Sequence, residues 1–439
     1  MPLNRGRFIS MKVCLANDSF PPHIDGVIGA VVNYATYITR DYGSAVVATP
    51  NYPNVVDDYL FEVVRYKSFN TEKKLGYRTG YPFSGKAMKK LVEFAPDIIH
   101  SHCPMASTVM CRELRKLTGA PLILTYHTKF DLDIKRLIKH KVFQEAAIKQ
   151  MVMNLESCDE IWAVNKGAGE NLKSLGYSGE YVVMKNGVDF ENCPPTELEL
   201  ALINKELGLP SDGTPVFLFV GRILWYKGIK IILDSLRELK SLGNDFRMIF
   251  VGKGADEEDI KKYATELGLF ENCIFAGPIY DRAKLKTVYG RADMLFLPSV
   301  FDNDPLVVKE AAAAHTGSLL IKDSSSADGV THMSDGLLIE ENSESMTRAM
   351  LPFFENPALW KDLGEKASET LYLSWEDSVA KAVKRYEEVL KRVPKSHDTQ
   401  HPKARYDTII SLVSKVHRKK KRACRRKKLC AKRRKKIDS

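Results

Sequence analysis

Residues 216–228 read VFLFVGRILWYKG, and this stretch determines the fold class that the sequence predicts. Five apolar residues, Val216–Val220, suit a buried strand, and a glycine ends the run before a helical pattern begins. Such a strand-to-helix corner is typical of a parallel α/β sheet. Arg222 and Lys227 place a guanidinium and an ammonium at the corner, where they suit a diphosphate. The alternative is that both are solvated surface cations.

Short apolar runs of this kind recur in two sets along the chain. They lie at residues 12–16, 45–48, 97–100, 121–125, 160–164 and 181–184, and again at 216–220, 247–251, 273–276, 294–297 and 318–321. A turn signal and a helical pattern follow each run, so we predict an α/β protein with two doubly wound domains. Ligand sites are then expected outside the carboxyl ends of the strands, and chemistry in a cleft between the domains.

A length of 439 residues allows two such domains and a further segment. The sequence NGVD at Asn186–Asp189 is interpreted as the connection between them, because no paired alternating strands flank it. We predict a first domain over residues 1–190, a second over 191–374 and a tail over 393–439. An amphipathic pattern from Trp375 to Leu390 predicts a crossover helix at about 375–392 that belongs with the first domain.

The net charge of +11 is concentrated at the carboxyl end of the chain. Residues 415–439 contain fifteen lysines and arginines and one acid, Asp438, so the remaining chain is slightly acidic. An apolar stripe at residues 409–416 precedes this run and favours insertion into a membrane surface. Attachment to an anionic membrane through residues 404–439 is the preferred interpretation. Nucleic-acid binding is disfavoured because no aromatic follows Tyr406, and a solvated tail is the third possibility.

The cysteines and the hydropathy pattern indicate the compartment. Eight cysteines are scattered without a C-x-x-C pair, which favours a reducing environment. No apolar segment has the length of a signal peptide core or of a membrane span. We therefore expect a cytoplasmic protein that contacts a membrane only at its surface.

Two carboxylates are candidates for ligand binding in the second domain. Asp302 and Glu310 stand eight residues apart in FDNDPLVVKEA, and Pro305 predicts that the first lies on a loop and the second on a helix. One carboxylate could then reach a sugar and the other a ribose. The alternative is an acidic helix cap formed by Asp302 or Asp304, with Glu310 a solvated helix residue.

Three histidines and one glycine are considered as candidate site residues in the first domain. His127 follows an apolar run directly, at the end of a predicted strand. His100 and His102 resemble half of a metal site, but no further ligands follow at a recognisable spacing, so we predict no metal. Gly26 lies between the first strand and the first helix, where it would let a backbone approach a ligand or only turn the chain.

These motifs together resemble the retaining glycosyltransferases of family 4, over roughly residues 12–390. The matching pieces are the loop FPPHIDGV, the sequences PDIIHSH and TYHT, the connection NGVD, the corner VGRxxxxKG, and a Glu-x7-Glu element represented by Asp302 and Glu310. The sequence GYRTGYPFS at residues 76–84 is similar to that of members that glucosylate diacylglycerol at the cytoplasmic membrane face. The resemblance implies the GT-B fold, in which two Rossmann-like domains face each other across a cleft.

The resemblance also implies roles for individual residues of the second domain. Arg222 and Lys227 would hold the pyrophosphate of the donor, and Glu310 would bind the ribose hydroxyls. Asp302 would contact the transferred sugar and counts as a catalytic residue.

The resemblance also implies roles for backbone groups of the second domain and for two residues of the first domain. The backbone near Leu306 and Val307 would assist in sugar binding, and Gly26 would line the donor pocket. His127 would face the reacting sugar as the second catalytic residue.

The activity implied is transfer of a hexose, with glucose favoured, from a UDP-linked donor to a membrane lipid such as diacylglycerol. No cofactor and no metal are expected, and the protein would lie peripherally on the inner face of the cell membrane. Transfer to a glycan during assembly of cell-surface polysaccharide or glycoconjugate is the alternative.

Two departures from the family pattern support an alternative of a different class. Asp302 replaces the first Glu of the paired element, and Pro305 replaces the usual glycine. A non-catalytic nucleotide-sugar-binding membrane scaffold would tolerate both changes.

Overall fold

A computed structural model describes residues 10–23, 25–72, 77–393 and 395 of the chain, without the side chains of residues 132, 133, 136 and 137. The chain forms two compact units. Among the described residues, the first contains those up to Val164, residues Gly169–Met184 and those from Val379 to Lys395, and the second contains Asn165–Ala168 and Lys185–Ser378. The predicted apolar stripe at 409–416 and the basic tail lie outside the described residues.

The first unit is built on a parallel sheet. Its strands are β1 (Met11–Ala16), β2 (Gly43–Pro50), β3 (Glu62–Tyr66), β4 (Ser68–Phe69), β5 (Thr79–Gly80), β6 (Ile98–Ser101), β7 (Leu122–Tyr126), β8 (Glu160–Ala163) and β9 (Tyr181–Val183). Seven of them pair in the order β3-β2-β1-β6-β7-β8-β9, while β4 and β5 form a separate antiparallel pair. The strand order reverses between β1 and β6, which makes the carboxyl ends of these strands a topological switch point.

Helices connect the strands of this unit. They are α1 (Gly26–Tyr37), which a short π-helical turn (Ile38–Tyr42) continues, α2 (Gly85–Phe94), α3 (Ala106–Thr118), α4 (Phe130–Leu137), α5 (Lys141–Glu156) and α6 (Lys166–Ser174). Asp25 caps α1, since its carboxylate accepts a 2.7 Å hydrogen bond from the Ile28 N–H. The central strands are buried throughout, as expected of a sheet covered on both faces.

The second unit repeats this architecture with six parallel strands. These are β10 (Val216–Val220), β11 (Arg247–Val251), β12 (Cys273–Gly277), β13 (Met294–Leu297), β14 (Gly317–Ile321) and β15 (Leu337–Ile339), in the order β12-β11-β10-β13-β14-β15. The order reverses between β10 and β13, so a second switch point lies at their carboxyl ends. The apolar side chains of these strands and of the flanking helices form one contiguous core.

The helices of the second unit complete the alternation. They are α7 (Glu197–Leu207), α8 (Ile229–Ser241), α9 (Glu257–Glu266), α10 (Arg282–Arg291), α11 (Leu306–Ala313), α12 (Ser343–Glu355) and α13 (Ala358–Thr370), with 3₁₀ turns at Trp225–Lys227, Phe270–Asn272 and Ser325–Ala327. The helix α14 (Trp375–Arg392) follows and begins at the predicted residue. Within the described ranges, no helix combines the length and the apolar composition that crossing a membrane requires.

The prediction of two doubly wound parallel sheets is confirmed, and each of the eleven apolar runs forms a strand. Four of the described strands are missing from the prediction. β3 and β15 are edge strands with partly exposed residues and carry only a weak apolar signal, and β4 and β5 are only two residues long. The polar stretch after Pro195 contains a helix, α7, that was not predicted. Thr196 and Glu199 form a capping box at its start, and this residue pattern in the sequence indicates a helix N-terminus.

An ion-pair network fastens α14 to β8 within the first unit. Glu160 accepts hydrogen bonds from Arg385 at 2.7 and 2.8 Å, from Arg392 at 2.5 Å and from the Trp162 indole at 2.7 Å. Burial alone raises the pKa of Glu160, but these hydrogen bonds outweigh it and hold the pKa below its ordinary value. The Trp162 ring stacks on Tyr386 of α14 with 5.2 Å between ring centroids.

Replacing Glu160 by Gln removes the charge that Arg385 and Arg392 share, and we expect the free energy of unfolding to fall by about 1–3 kcal/mol at pH 7. Because the folded-state pKa of Glu160 is lowered, the advantage of the wild type is complete above about pH 5 and is lost as the pH falls through the lowered value. Urea unfolding followed by tryptophan fluorescence, with Trp162 directly at the network, measures the difference.

The matched control is Glu388→Gln. Glu388 also pairs with Arg385, but its side chain is half exposed, so we expect a change below about 0.5 kcal/mol. A loss for Glu160→Gln that stays constant down to acid pH would contradict this account of the network.

Candidate active site

The switch point of the second unit brings a cation and a carboxylate into contact. Lys227 lies on the connection after β10, and Asp302 lies after β13, the neighbouring strand. The Lys227 Nζ is 2.5 Å from Asp302 Oδ1, and the two side chains are only 12% and 19% exposed. The alternative that Lys227 is a solvated surface cation is therefore wrong. The second oxygen, Asp302 Oδ2, is buried and has no hydrogen-bond partner among the described residues.

An aromatic ring joins Arg222 to this pair. The Arg222 Nη2 donates a 2.7 Å hydrogen bond to the Tyr226 hydroxyl, and Lys227 Nζ lies 5.5 Å from the centroid of the same ring. Tyr226 in turn meets Phe301, the neighbour of Asp302, with 5.4 Å between ring centroids. Arg222 itself is exposed. The predicted phosphate-binding cations thus flank one tyrosine at the carboxyl end of β10.

The segments that follow the strands of the second unit are held together by close backbone contacts, and two of these contacts require glycine. A Cβ on Gly228, whose φ is +78°, would lie 1.9 Å from the Pro298 carbonyl oxygen. A Cβ on Gly252, with φ at +136°, would lie 1.9 Å from the Gly221 carbonyl oxygen. Both positions therefore require glycine, and both hold the ends of neighbouring strands against each other.

Glu310 is buried and held from two sides. Its Oε1 accepts a 2.8 Å hydrogen bond from Arg282 Nη2, and its Oε2 accepts one of 2.8 Å from the Tyr289 hydroxyl. Arg282 also pairs with Asp189 and lies over the Phe190 ring, 4.1 Å from its centroid. The alternative that Glu310 is a solvated helix residue is wrong, since its exposure is only 7%. Each carboxylate oxygen keeps a further lone pair that can accept a hydroxyl.

The start of α11 separates the two predicted carboxylates. The helix begins at Leu306 after Pro305, which places Asp302 on the loop and Glu310 on the helix as predicted. No side chain caps this helix, so the acidic cap expected as an alternative is not formed. Leu306 and Val307 are the first two helical residues, and their N–H groups have no acceptor within the helix.

Asp304 has a different partner, a buried lysine. The Lys309 Nζ lies 2.8 and 2.9 Å from the two Asp304 oxygens and donates to the Asn186 carbonyl at 3.0 Å. A cavity of about 30 Å³ adjoins this pair and has space for about one water molecule. Its lining does not include Arg222, Lys227 or Glu310. We therefore interpret the Asp304–Lys309 pair as a structural link between the NGVD connection and α11.

The predicted site residues of the first unit lie near its own switch point. His127 follows β7 and is 6% exposed, and its Nε2 lies 2.9 Å from His102 Nδ1. Burial lowers the pKa of His127 to about 3, so the ring is neutral near pH 7. Gly26 is the exposed first residue of α1.

His100, the first histidine of the sequence HSH, has a hydrogen-bond partner at each ring nitrogen. The two ring nitrogens of His100 lie 2.6 Å from the Tyr386 hydroxyl and 2.7 Å from the Thr125 hydroxyl. The described part of the chain contains no group of three His, Cys, Asp or Glu side chains arranged to hold a metal.

The structure brings Arg222, Lys227 and Asp302 together and places Glu310 on the following helix with partners of its own. The sequence interpretation missed those partners, Arg282 and Tyr289. Arg282 lies just after β12, at the same edge of the sheet as the predicted cations, so its position in the sequence already indicated a candidate site residue. Tyr289 carried no signal, because a tyrosine inside an amphipathic helix is usually a core residue.

Family models match most of the chain. Residues 24–192 match the model described as Glycosyltransferase Family 4, and residues 203–370 match the one described as Glycosyl transferases group 1.

Several curated proteins are distantly similar. A 2-deoxystreptamine glucosyltransferase from Streptomyces kanamyceticus is 27% identical over 199 residues, 43% of this chain, which spans about half (49%) of that protein. An alpha-monoglucosyldiacylglycerol synthase from Streptococcus pneumoniae is 21% identical over 310 residues, 70% of each chain. A GDP-mannose-dependent alpha-mannosyltransferase from Corynebacterium glutamicum is 24% identical over 339 residues, 75% of this chain and 77% of its own length.

Solved structures share the fold at low sequence identity. A glycosyltransferase from Rickettsia africae superposes with a TM-score of 0.67 at 17% identity, over 88% of this chain and all of that one. Anabaena HepE in complex with UDP gives the same TM-score and identity over 87% of this chain and all of its own. The two parallel sheets, the family matches and these neighbours agree, and the chain belongs to the GT-B glycosyltransferases, with a Family 4 domain followed by a group 1 domain.

Proposed function

We propose that this glycosyltransferase moves a hexose, with glucose favoured, from a UDP-linked donor to a membrane lipid such as diacylglycerol, with retention of the anomeric configuration. The observation that carries the proposal is the contact between Lys227 and Asp302 at the β10–β13 switch point, beside Arg222. The relative named as an alpha-monoglucosyldiacylglycerol synthase supports the acceptor class, and the UDP bound to Anabaena HepE supports the nucleotide.

The donor diphosphate would be held by cations that keep free hydrogen-bond donors. An ammonium has three N–H groups, so the bond from Lys227 to Asp302 leaves two for phosphate oxygens. The Arg222 guanidinium has five N–H groups and uses one on Tyr226. Positive charge placed at the leaving diphosphate stabilises it as the glycosidic bond breaks, and the proposal needs no metal for this.

The sugar and the ribose would be bound by the two carboxylates. The buried, unpartnered Asp302 Oδ2 is suited to a hydroxyl of the transferred sugar, which would end its lack of a partner. Glu310 would accept the two ribose hydroxyls with the lone pairs that Arg282 and Tyr289 leave available. The N–H groups of Leu306 and Val307, with Gly26 and His127 of the first unit, would complete the donor site.

Retention would follow from attack on the same face that the diphosphate leaves. The bond from the anomeric carbon to the phosphate oxygen breaks, and the bond to the acceptor oxygen forms on that face. The proton of the acceptor hydroxyl passes to the departing phosphate oxygen, so no side chain has to act as a strong base. With its pKa lowered to about 3 by burial, His127 is a weak base, which is consistent with a role other than taking the proton of the acceptor.

We expect Arg222→Ala, Lys227→Ala and Glu310→Gln each to reduce transfer from UDP-glucose by about 100-fold or more, because each removes a charge from the donor site. The measurement uses the full chain, radiolabelled UDP-glucose and vesicles of anionic phospholipid that contain diacylglycerol. Product extracted with lipid identifies the acceptor.

Lys230→Ala is the matched control. Lys230 is an exposed cation three residues after Lys227, and it pairs with Asp234. Its loss is expected to leave transfer within about twofold of the wild type. UDP binding by the wild type without turnover on any acceptor would favour the scaffold alternative, and transfer only to a soluble or polyprenyl-linked sugar would favour polysaccharide assembly.

The hydrogen bond from Tyr289 to Glu310 predicts that loss of the Tyr289 hydroxyl weakens binding of the ribose. Tyr289→Phe removes one buried hydroxyl, so we expect the affinity for UDP to fall about tenfold. The affinity for 2′,3′-dideoxy-UDP should fall much less, because that ligand has no ribose hydroxyl for Glu310 to bind. Calorimetric titration of both nucleotides measures the coupling.

Tyr263→Phe is the control for this pair of titrations. The Tyr263 hydroxyl bonds Asp234 and Lys230 elsewhere in the same unit, and its removal is expected to leave both affinities unchanged. Equal losses of affinity for both nucleotides in Tyr289→Phe would contradict the assignment of Glu310 to the ribose.

Deletion of residues 404–439 tests the membrane part of the proposal. Each Lys or Arg near an anionic bilayer contributes about 1 kcal/mol, so a fraction of the fifteen in the tail suffices for attachment. We expect the truncated chain to lose sedimentation with anionic vesicles and to keep its affinity for UDP. Full binding of the truncated chain to vesicles would contradict the assignment, as would equal binding of the full chain to neutral vesicles.

A further inference from the structure

Tyr226 is a partly exposed aromatic residue that lies between two cations of the second unit. Its side chain belongs to a residue that is 36% exposed, yet its hydroxyl accepts a 2.7 Å hydrogen bond from Arg222 Nη2. The Lys227 ammonium lies 5.5 Å from the centroid of its ring, and the Arg222 guanidinium lies 6.0 Å from the same point. Both distances allow a cation–π attraction. The ring therefore attracts both cations, and the hydroxyl binds one of them.

The backbone on both sides of Tyr226 is held in place. Tyr226 is the middle residue of the 3₁₀ turn Trp225–Lys227. At the start of this turn, the Trp225 N–H donates a 2.9 Å hydrogen bond to Asp256 Oδ2. After its end, Gly228 packs so closely on the connection that follows β13 that a Cβ would lie 1.9 Å from a carbonyl oxygen there. The fixed turn makes Tyr226 a rigid support for its neighbours.

Arg222 is a long, exposed side chain and depends on this support. Within the described residues, the bond to Tyr226 is the only hydrogen bond of its guanidinium. An exposed arginine otherwise occupies many rotamers, and the loss of that freedom opposes the binding of a ligand. The Tyr226 hydroxyl restricts the guanidinium before a ligand binds, and it leaves the remaining N–H groups available.

We propose that Tyr226 is a positioning residue that holds the Arg222 guanidinium in place for the diphosphate of the donor. It acts through Arg222 alone, because Lys227 is oriented by Asp302, 2.5 Å away. The role of the diphosphate rests on the proposed function, whereas the order of the Arg222 side chain does not. Tyr226→Phe isolates the effect, since it removes the hydroxyl and keeps the ring against Phe301, 5.4 Å between centroids.

The order of the Arg222 side chain is measurable by NMR without any ligand. The full chain is labelled with ¹⁵N-arginine, and the Arg222 Nε–H signal is assigned as the one lost in Arg222→Ala. We expect an order parameter above about 0.6 in the wild type and below that value in Tyr226→Phe. Arg237 is the internal reference, since it is exposed on α8 and its side chain has no partner in the described part of the chain. Its order parameter should be low in both proteins.

Titration with UDP and with uridine tests the consequence for binding. Tyr226→Phe is expected to bind UDP about tenfold more weakly, because Arg222 then has to be ordered when the ligand binds. The affinity for uridine, which has no phosphate, should stay within about twofold of the wild type. Tyr263→Phe removes a hydroxyl that bonds Asp234 in the same unit, and it should leave both affinities unchanged. Equal losses for UDP and uridine in Tyr226→Phe would indicate a general disturbance and overturn the proposal.

A double-mutant cycle with transfer as the readout completes the test. In the wild-type background, we expect Tyr226→Phe to lower kcat/KM for UDP-glucose about tenfold, mostly through KM. In the Arg222→Ala background, the same change should lower it less than about twofold, because the side chain that Tyr226 holds is already absent.

Three results would overturn the proposal. These are equal losses of kcat/KM in both backgrounds, a low Arg222 order parameter in the wild type, and an Arg222 order parameter that Tyr226→Phe does not change. Absence of UDP binding by the wild type would refute the proposed function, and the Arg222 order parameters would still decide whether Tyr226 holds that side chain.

Discussion

The contact between Lys227 and Asp302 is the interaction on which the account of this site depends. It joins the connections that follow β10 and β13, two strands that are adjacent in the sheet but far apart in sequence. In doubly wound sheets, such a reversal of strand order directs the two connections to opposite faces, and ligands generally bind outside the strand ends at that point. A largely buried ion pair without further partners is costly, since desolvation opposes the Coulomb attraction. Under the proposed function, a ligand would use the remaining donors of Lys227 and the unpartnered oxygen of Asp302, which would account for the presence of this pair.

Glu310 is a buried carboxylate that two neighbouring side chains hold in place. Arg282 neutralises its charge and Tyr289 fixes the second oxygen, so the side chain is held in one orientation before anything binds. Under the proposed function, ribose binding would therefore avoid the entropy cost of ordering it. In the first unit, His127 Nε2 likewise contacts a buried side chain, since it lies 2.9 Å from His102 Nδ1.

The sequence predicted eleven strands of the two parallel sheets, because fully buried parallel strands carry a strong apolar signal, and it predicted the helix α14 from an amphipathic pattern. It also predicted the loop position of Asp302 and the helical position of Glu310 from one proline. It could not predict that Asp304 pairs with Lys309 while Asp302 pairs with Lys227, since either acid could have served either cation. Contacts that depend on the strand order, as between Arg282 and Glu310, cannot be obtained from the sequence pattern of one segment.

A structure of the full chain with UDP bound tests the central claim most directly. The account predicts phosphate oxygens on Arg222 and Lys227 and the ribose hydroxyls on Glu310, with Arg282 and Tyr289 still holding that carboxylate. A nucleotide bound elsewhere in the second unit, with Lys227 contacting only Asp302 and Glu310 contacting only its two present partners, would contradict it.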